Sequence, residues 1–326
     1  MAAVLASVLV GVTIHVGSAC TGFAVYSGRA LYGMNFDYGQ NEIRFTIDDS
    51  GAGALFLGSF LADGYWAGTV GMNEHGLFSS EQMVFPPRAT VDEPAEDELH
   101  LWDAFEYGLR ECESVGGVLR WIGERHLVQD PSLQLHNLYA DPTGDARVVE
   151  AGPAGNVITG IEGPFLVMTN FHNGDFRGLE LRDIAGVGAE RYRVAHRYLE
   201  EQIDAFDVDH ALELLRRTAT STGDFTTRCS LVFDPGALEI YVALERDYDH
   251  IWKVSMVDRT IETYRGFAES QTLRFGASGV FAETLRAHAG VEPVPTAEED
   301  PGLRWPLVML IVGGVLGAAL LLALMR

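Results

Sequence analysis

The sequence predicts an α+β fold for its central body. Strand-like runs crowd the first 85 residues, helical apolar periods follow, and strand-like runs then return. No GxGxxG or GKS/T loop accompanies them, so a parallel, nucleotide-binding doubly wound sheet is not indicated. Residues 20–290 contain no repeat and no linker-like segment, which marks them as one domain.

Taken in order, strands are expected at residues 21–31, 44–47, 54–58 and 76–85, punctuated by Gly28, Gly33 and the turn tetrad Asn73-Glu-His-Gly76. Five acids between Asp92 and Glu98 precede a helix over 100–112, where Leu101, Trp102, Ala104, Phe105 and Leu109 recur on a helical period. A second helix covers 115–125. Strands follow at 138–140, 146–151, 157–160 and 165–168, then amphipathic helices at 189–202 and 208–218. Two last strands, 229–233 and 239–244, flank the turn Asp234-Pro-Gly236.

Both ends are apolar. Residues 2–19 read AAVLASVLVGVTIHVGSA, with small residues at −3 and −1 before Cys20, which predicts a leader (1–19) cleaved at that bond. It lacks a basic start, since no Lys or Arg precedes Arg29. Residues 306–325 form twenty positions without a charge, and a helix of that length spans about 30 Å, a bilayer's hydrocarbon core. Trp305 and Arg326 sit at its margins as interfacial anchors would. Residues 291–305, rich in proline and acid, form the expected tether. The expectation is a membrane-anchored protein with its body outside the cytoplasm.

The chain holds 46 acidic against 23 basic residues, a formal charge of −23, and only one lysine, Lys253. Such a surface repels phosphate backbones and argues against nucleic acid as a partner. Cys20, Cys112 and Cys229 are too few and scattered for a disulfide framework, and Cys112 and Cys229 read as small buried hydrophobes. Neither HExxH nor CxxC occurs, so no metal or cofactor is expected.

Cleavage before Cys20 would put a free α-amine on the residue that carries the thiol. Their ordinary pKa values, about 7.7–8.0 and about 8.5, supply a base and a near-ready nucleophile together. That is one-residue nucleophilic catalysis, and it needs no histidine.

Cys20-Thr-Gly-Phe-Ala-Val25 followed by Gly33-Met-Asn-Phe-Asp37 resembles the start of the choloylglycine hydrolase and penicillin V acylase family. Gly71-Met-Asn-Glu-His-Gly-Leu77, Val167-Met-Thr-Asn170, Glu190-Arg-Tyr-Arg193 and the segment 225–243 resemble later family motifs in the right order. The resemblance spans roughly residues 20–245. It implies a four-layer αββα N-terminal-nucleophile hydrolase sandwich acting on linear N-acyl amides. It further implies that Cys20 is nucleophile and base, that Asp37 bonds the amine, that Asn170 donates to the oxyanion and that Arg191 lies beside the thiolate. Met34 stands where the family has an arginine. The family's second oxyanion asparagine falls by counting at Met83, with Gln82 adjacent. Met34, Gln82 and Met83 are therefore the expected substrate-binding positions, and a neutral or apolar acyl group the expected substrate.

The residues leave other readings open. Cys20 could carry a lipid, making the body a binding module, although Gly17 replaces the bulky aliphatic residue a lipidation motif prefers and an anchor is already present. The chain could be an acyltransferase or dipeptidase on the same fold, or a receptor that has lost catalysis.

Overall fold

The computed structural model describes residues 20–290, apart from residues 40, 50–52 and 63. The expected leader, tether and apolar span lie outside the described residues. Among the described residues, no helix is long and apolar enough to cross a membrane.

A hairpin, β1 (Thr21–Ser27) and β2 (Arg29–Tyr38), replaces the single strand expected over 21–31. The chain reverses at Gly28, whose φ of +70° is strained for any residue with a Cβ. A meander follows: β3 (Ile43–Asp48), β4 (Leu55–Ala62), β5 (Tyr65–Asn73) and β6 (Phe78–Met83). Within the β5–β6 turn, Asn73 Oδ1 accepts from the backbone of His75 and Leu77, and its Nδ2 donates to Leu109 and Cys112 carbonyls. The tetrad read as a turn therefore also ties down the end of a helix.

Next, β7 (Glu98–His100) leads into α1 (Leu101–Glu111) and α2 (Val115–Ile122), the latter capped by Ser114 accepting from Gly117 N. β8 (His126–Val128) pairs in parallel with β7. β9 (Leu135–Ala140), β10 (Ala146–Glu150), β11 (Val157–Gly160) and β12 (Phe165–Met168) precede α3 (Ala189–Gln202) and α4 (Val208–Thr218). Asp207 caps α4 by accepting from His210 N at 2.9 Å. The body ends with β13 (Thr226–Asp234), β14 (Glu239–Leu244), β15 (Asp247–Ser255), β16 (Thr260–Arg265), β17 (Thr272–Arg274), β18 (Val280–Phe281) and α5 (Ala282–Ala289).

Two eight-stranded antiparallel sheets result, ordered β12-β1-β2-β13-β14-β15-β16-β17 and β11-β10-β9-β6-β5-β4-β3-β18. Strand alternation sorts the side chains into layers. Ala24, Tyr32, Met34 and Phe36 of the first sheet pack against Phe45, Phe56, Met72, Phe78 and Leu138 of the second. On the first sheet's outer face Phe23, Val25, Leu31 and Val232 meet Ala195, Leu199, Leu212 and Leu215 of α3 and α4. On the second, Leu55, Leu57 and Tyr139 meet Leu101, Phe105, Leu109 and Val118 of α1 and α2. This is the expected αββα order. The facing sides of the two sheets are apolar, while beyond the helices their outer faces carry polar side chains, as at Arg44 and Thr46 of β3 and at Lys253 and Glu262 of β15 and β16. Cys20, Cys112 and Cys229 are all free thiols.

Candidate active site

The pairing of β1 with both its neighbours brings the site together. Thr21 lies opposite Asn35 of β2, and Gly22 lies opposite Met168 of β12. Because both pairings are antiparallel, the start of β1 meets the ends of β2 and β12. Cys20, Asp37 and Asn170 therefore collect at one end of the first sheet. α3 begins beside them after Gly188, held at φ +81°, and sends Arg191 back from its first turn.

Arg191 is the hub. Its guanidinium donates to the Cys20 carbonyl, to Thr21 Oγ1 at 2.8 Å and to Asn170 Oδ1 at 2.7 Å. It thus grips the backbone of residue 20 and orients Asn170. Burial lowers the Arg191 pKa, while Asp37 and Cys20 oppose that shift.

Asp37 is 2% exposed and accepts from the hydroxyl of Thr227 and, at 3.2 Å, from that of Thr220. Burial pushes its carboxyl up to about 7, against the pull of Arg191 and the two hydroxyls. Cys20 Sγ sits 3.8 Å from the Asp37 carbonyl oxygen. Burial and the neighbouring Asp37 carboxylate push the thiol up to about 12, so in the uncleaved chain it is neutral and unreactive.

Asn170 is fully buried, and its Nδ2 donates to the Met83 carbonyl at 2.7 Å. One of its two amide hydrogens is thereby used, and the other remains. Gln82 is 1% exposed and neither its Oε1 nor its Nε2 has a hydrogen-bond partner. A Cβ on Gly22 would meet Gln82 Nε2 at 2.5 Å and Ser80 Oγ at 3.1 Å, which places that unpartnered amide over β1 two residues from Cys20. Met83, the position reached by counting, packs its side chain against the outer cluster under α1 and α2. Adjacent strand residues point to opposite faces, so of the two expected positions Gln82 is the one on the inner face and Met83 the one on the outer. Met34 lies fully buried in the inner layer that also holds Cys20.

Thr21, Thr220 and Thr227 were not expected from sequence; they approach Asp37 and Arg191 only through tertiary folding. Neither of two surface cavities, about 770 Å³ between α1 and the outer face of β3–β5 and about 420 Å³ around Arg246 and Tyr248, is lined by Cys20. Cys20 itself is 5% exposed while its nitrogen is peptide-bonded to Ala19. Among the described residues no group of three or more His, Cys, Asp or Glu is arranged to hold a metal ion.

No family model matches this sequence, and no curated protein matches it. Solved structures do. A mutant and a variant of conjugated bile acid hydrolase from Clostridium perfringens each share 16% identity at a TM-score of 0.57, covering 79% and 80% of this chain and 98% of theirs. Penicillin V acylase from Agrobacterium tumefaciens shares 16% identity at a TM-score of 0.54, over 75% of this chain and 90% of its own. The chain therefore shares the four-layer αββα fold of conjugated bile acid hydrolase and penicillin V acylase, the family that its motifs resemble.

Proposed function

We propose that this protein is an amide hydrolase that cleaves a linear N-acyl amide, with Cys20 as its nucleophile once residues 1–19 are removed. The observation that carries the reading is the meeting of Cys20, Asp37, Asn170 and Arg191 at one end of the sandwich, in a fold whose neighbours of solved structure are named as a conjugated bile acid hydrolase and a penicillin V acylase.

Cleavage converts the Cys20 nitrogen from an amide, which cannot take a proton, into an amine, which can. The role of the buried Asp37 carboxylate in this reading is to hold the ammonium when it forms. The amine takes the thiol proton and the thiolate attacks the acyl carbon. The oxyanion receives the spare N–H of Asn170 and, from the facing sheet, an N–H of Gln82, whose amide has no other partner. The Cys20 ammonium then protonates the leaving amine, and water hydrolyses the thioester with the amine again as base. Arg191 acts by fixing the backbone of residue 20 and the rotamer of Asn170.

The acyl group is proposed to be neutral or apolar, because Met34 presents an uncharged side chain where the family has an arginine. Residues 306–325 are proposed to anchor the enzyme in a membrane, with the body on the outer side.

Turnover of a panel of chromogenic N-acyl amides tests the reading. Cys20→Ala abolishes release of the amine with the fold intact by circular dichroism, and Cys20→Ser leaves a small residue of activity because a hydroxyl is the poorer nucleophile. Undiminished turnover by Cys20→Ala ends the proposal, and exclusive turnover of anionic acyl conjugates ends its substrate class.

A further inference from the structure

Asn170 does not hold its own position; the strap that carries it, residues 169–174, is pinned by a buried carboxylate and two imidazoles outside the site described above. Glu150 ends β10, His136 lies on β9 and His172 on the strap, and the three are 1%, 0% and 3% exposed. Glu150 Oε1 is 3.4 Å from His136 Nδ1 and 3.3 Å from His172 Nδ1, and it accepts from Asn173 N at 2.9 Å. Its Oε2 accepts from Gly174 N at 2.9 Å. The far nitrogens of both histidines face carbonyls: His136 Nε2 lies 2.6 Å from Thr169 O, and His172 Nε2 lies 2.7 Å from Pro86 O. A carbonyl can only accept, so each imidazole bridges a backbone carbonyl and the Glu150 carboxylate.

The contacts are consecutive along the strap. Thr169 is held through His136, and Asn170 is bonded on both sides, its carbonyl accepting from Phe85 N and its amide donating to Met83 O. His172 reaches Pro86, and Asn173 and Gly174 give their backbone N–H groups to Glu150. Asn173 Nδ2 returns to Val167 O at 3.0 Å. Glu150 therefore joins the strap of one sheet to the other sheet, with only β9 between it and Gln82, since Gln82 pairs with His136 and His136 with Glu150. Burial works against this carboxylate, yet hydrogen bonds from His136, His172 and the Gly174 amide, with His136 close by, pull it down to about 2. A buried group with its lone pairs so engaged locks a segment in place, because losing it orphans every partner at once.

We propose that Glu150, clasped by His136 and His172, is a positioning residue that sets the oxyanion-binding geometry of Asn170 opposite Gln82. This rests on the amide-hydrolase reading given above. A one-ångström displacement of an oxyanion donor weakens transition-state binding more than substrate binding, so the effect belongs in kcat.

The test compares wild type with Glu150→Gln and His172→Asn in the cleaved full-length protein, reading kcat and KM on the best chromogenic amide and the rate of Cys20 alkylation by iodoacetamide. Glu150→Gln keeps the shape and removes the charge. The expected result is a kcat lower by about 10-fold or more in both variants, with KM within about twofold and alkylation unchanged. His172→Asn, which leaves the Glu150–His136 pair in place, gives a second reading if Glu150→Gln fails to fold. Wild-type kcat in either folded variant overturns the proposal, as does a loss shared equally by KM and alkylation, which marks general loosening. Turnover that survives Cys20→Ala sinks the hydrolase reading instead, and so separates the two failures.

Discussion

At the scale of single residues, Asp37 carries its charge in a place that disfavours charge. Its carboxyl is raised from an ordinary 3.8 to about 7 by burial, so between those values the folded chain holds a proton that the unfolded chain releases. Stability contributed by Asp37 is therefore greatest at low pH and falls as pH rises through that window, the penalty being complete above about 7. Asp37→Asn removes the penalty. The uncleaved variant is expected to melt at or above wild type at pH 8, with the difference shrinking towards pH 5. The cleaved variant is expected to lose about 10²-fold or more in rate, as for a lost acid–base partner. A melting temperature well below wild type at pH 8 contradicts the burial argument. Glu81 gives the same logic outside the site: burial, with Asp103 nearby, raises it to about 8. Glu81→Gln is expected to raise the melting temperature most above pH 8, with hydrolysis unaltered. Of these residues, Cys20, Asp37, Asn170 and Arg191 were legible because short motifs mark them. Thr220, Thr227, Glu150 and His172 were not, since each meets its partners across long separations and no local pattern marks it.

Among the elements, the close passage of β1 past its neighbours leaves no room for side chains at two glycines. A Cβ on Gly33 would lie 2.4 Å from the ring of Phe23, which is wedged under α4 and edge-on to Phe206. Gly33→Ala is expected to cost about 1–3 kcal/mol as overpacking that the ring cannot escape, measured by urea denaturation. Gly22→Ala meets the flexible end of Gln82 instead. It is expected to leave stability closer to wild type and to lower kcat by turning the amide away. Equal stability losses in both variants would mean that Gln82 is as rigidly set as Phe23. Strand content was legible where a turn was strong, as at Asp234-Pro-Gly236, whereas the reversal at Gly28 split the single strand expected over 21–31. The facing of β6 was not, because both of its faces are buried and Phe-Ser-Ser-Glu-Gln-Met shows no alternation. Counting therefore arrived at Met83, whereas Phe78, Ser80 and Gln82 share the inner face. β5, β15 and β16 also escaped the sequence reading.

For the whole molecule, strands, then helices, then strands along the chain become two sheets back to back with helices outside. Each sheet draws strands from both ends of the body: β18 joins β3, and β13 sits beside β2. Such pairings follow from no local signal, which is why the α+β class could be read from the sequence, the αββα layers came only with the family resemblance, and the strand order came only with the structure. The body closes at Gly290, a left-handed cap at φ +65° after α5. A chain ending there is expected to keep its melting temperature and turnover while moving from the membrane fraction to the soluble one. Retention in the membrane fraction would count against an anchor at 306–325.

The central claim is that the reacting thiol and its base belong to the same first residue. Mass spectrometry of the active enzyme, quenched during turnover of a slow N-acyl amide, addresses it directly. The account predicts an N-terminal peptide that begins at Cys20 and carries the acyl group on its sulfur. An active enzyme that still bears Ala19, or an acyl adduct on any other residue, contradicts it.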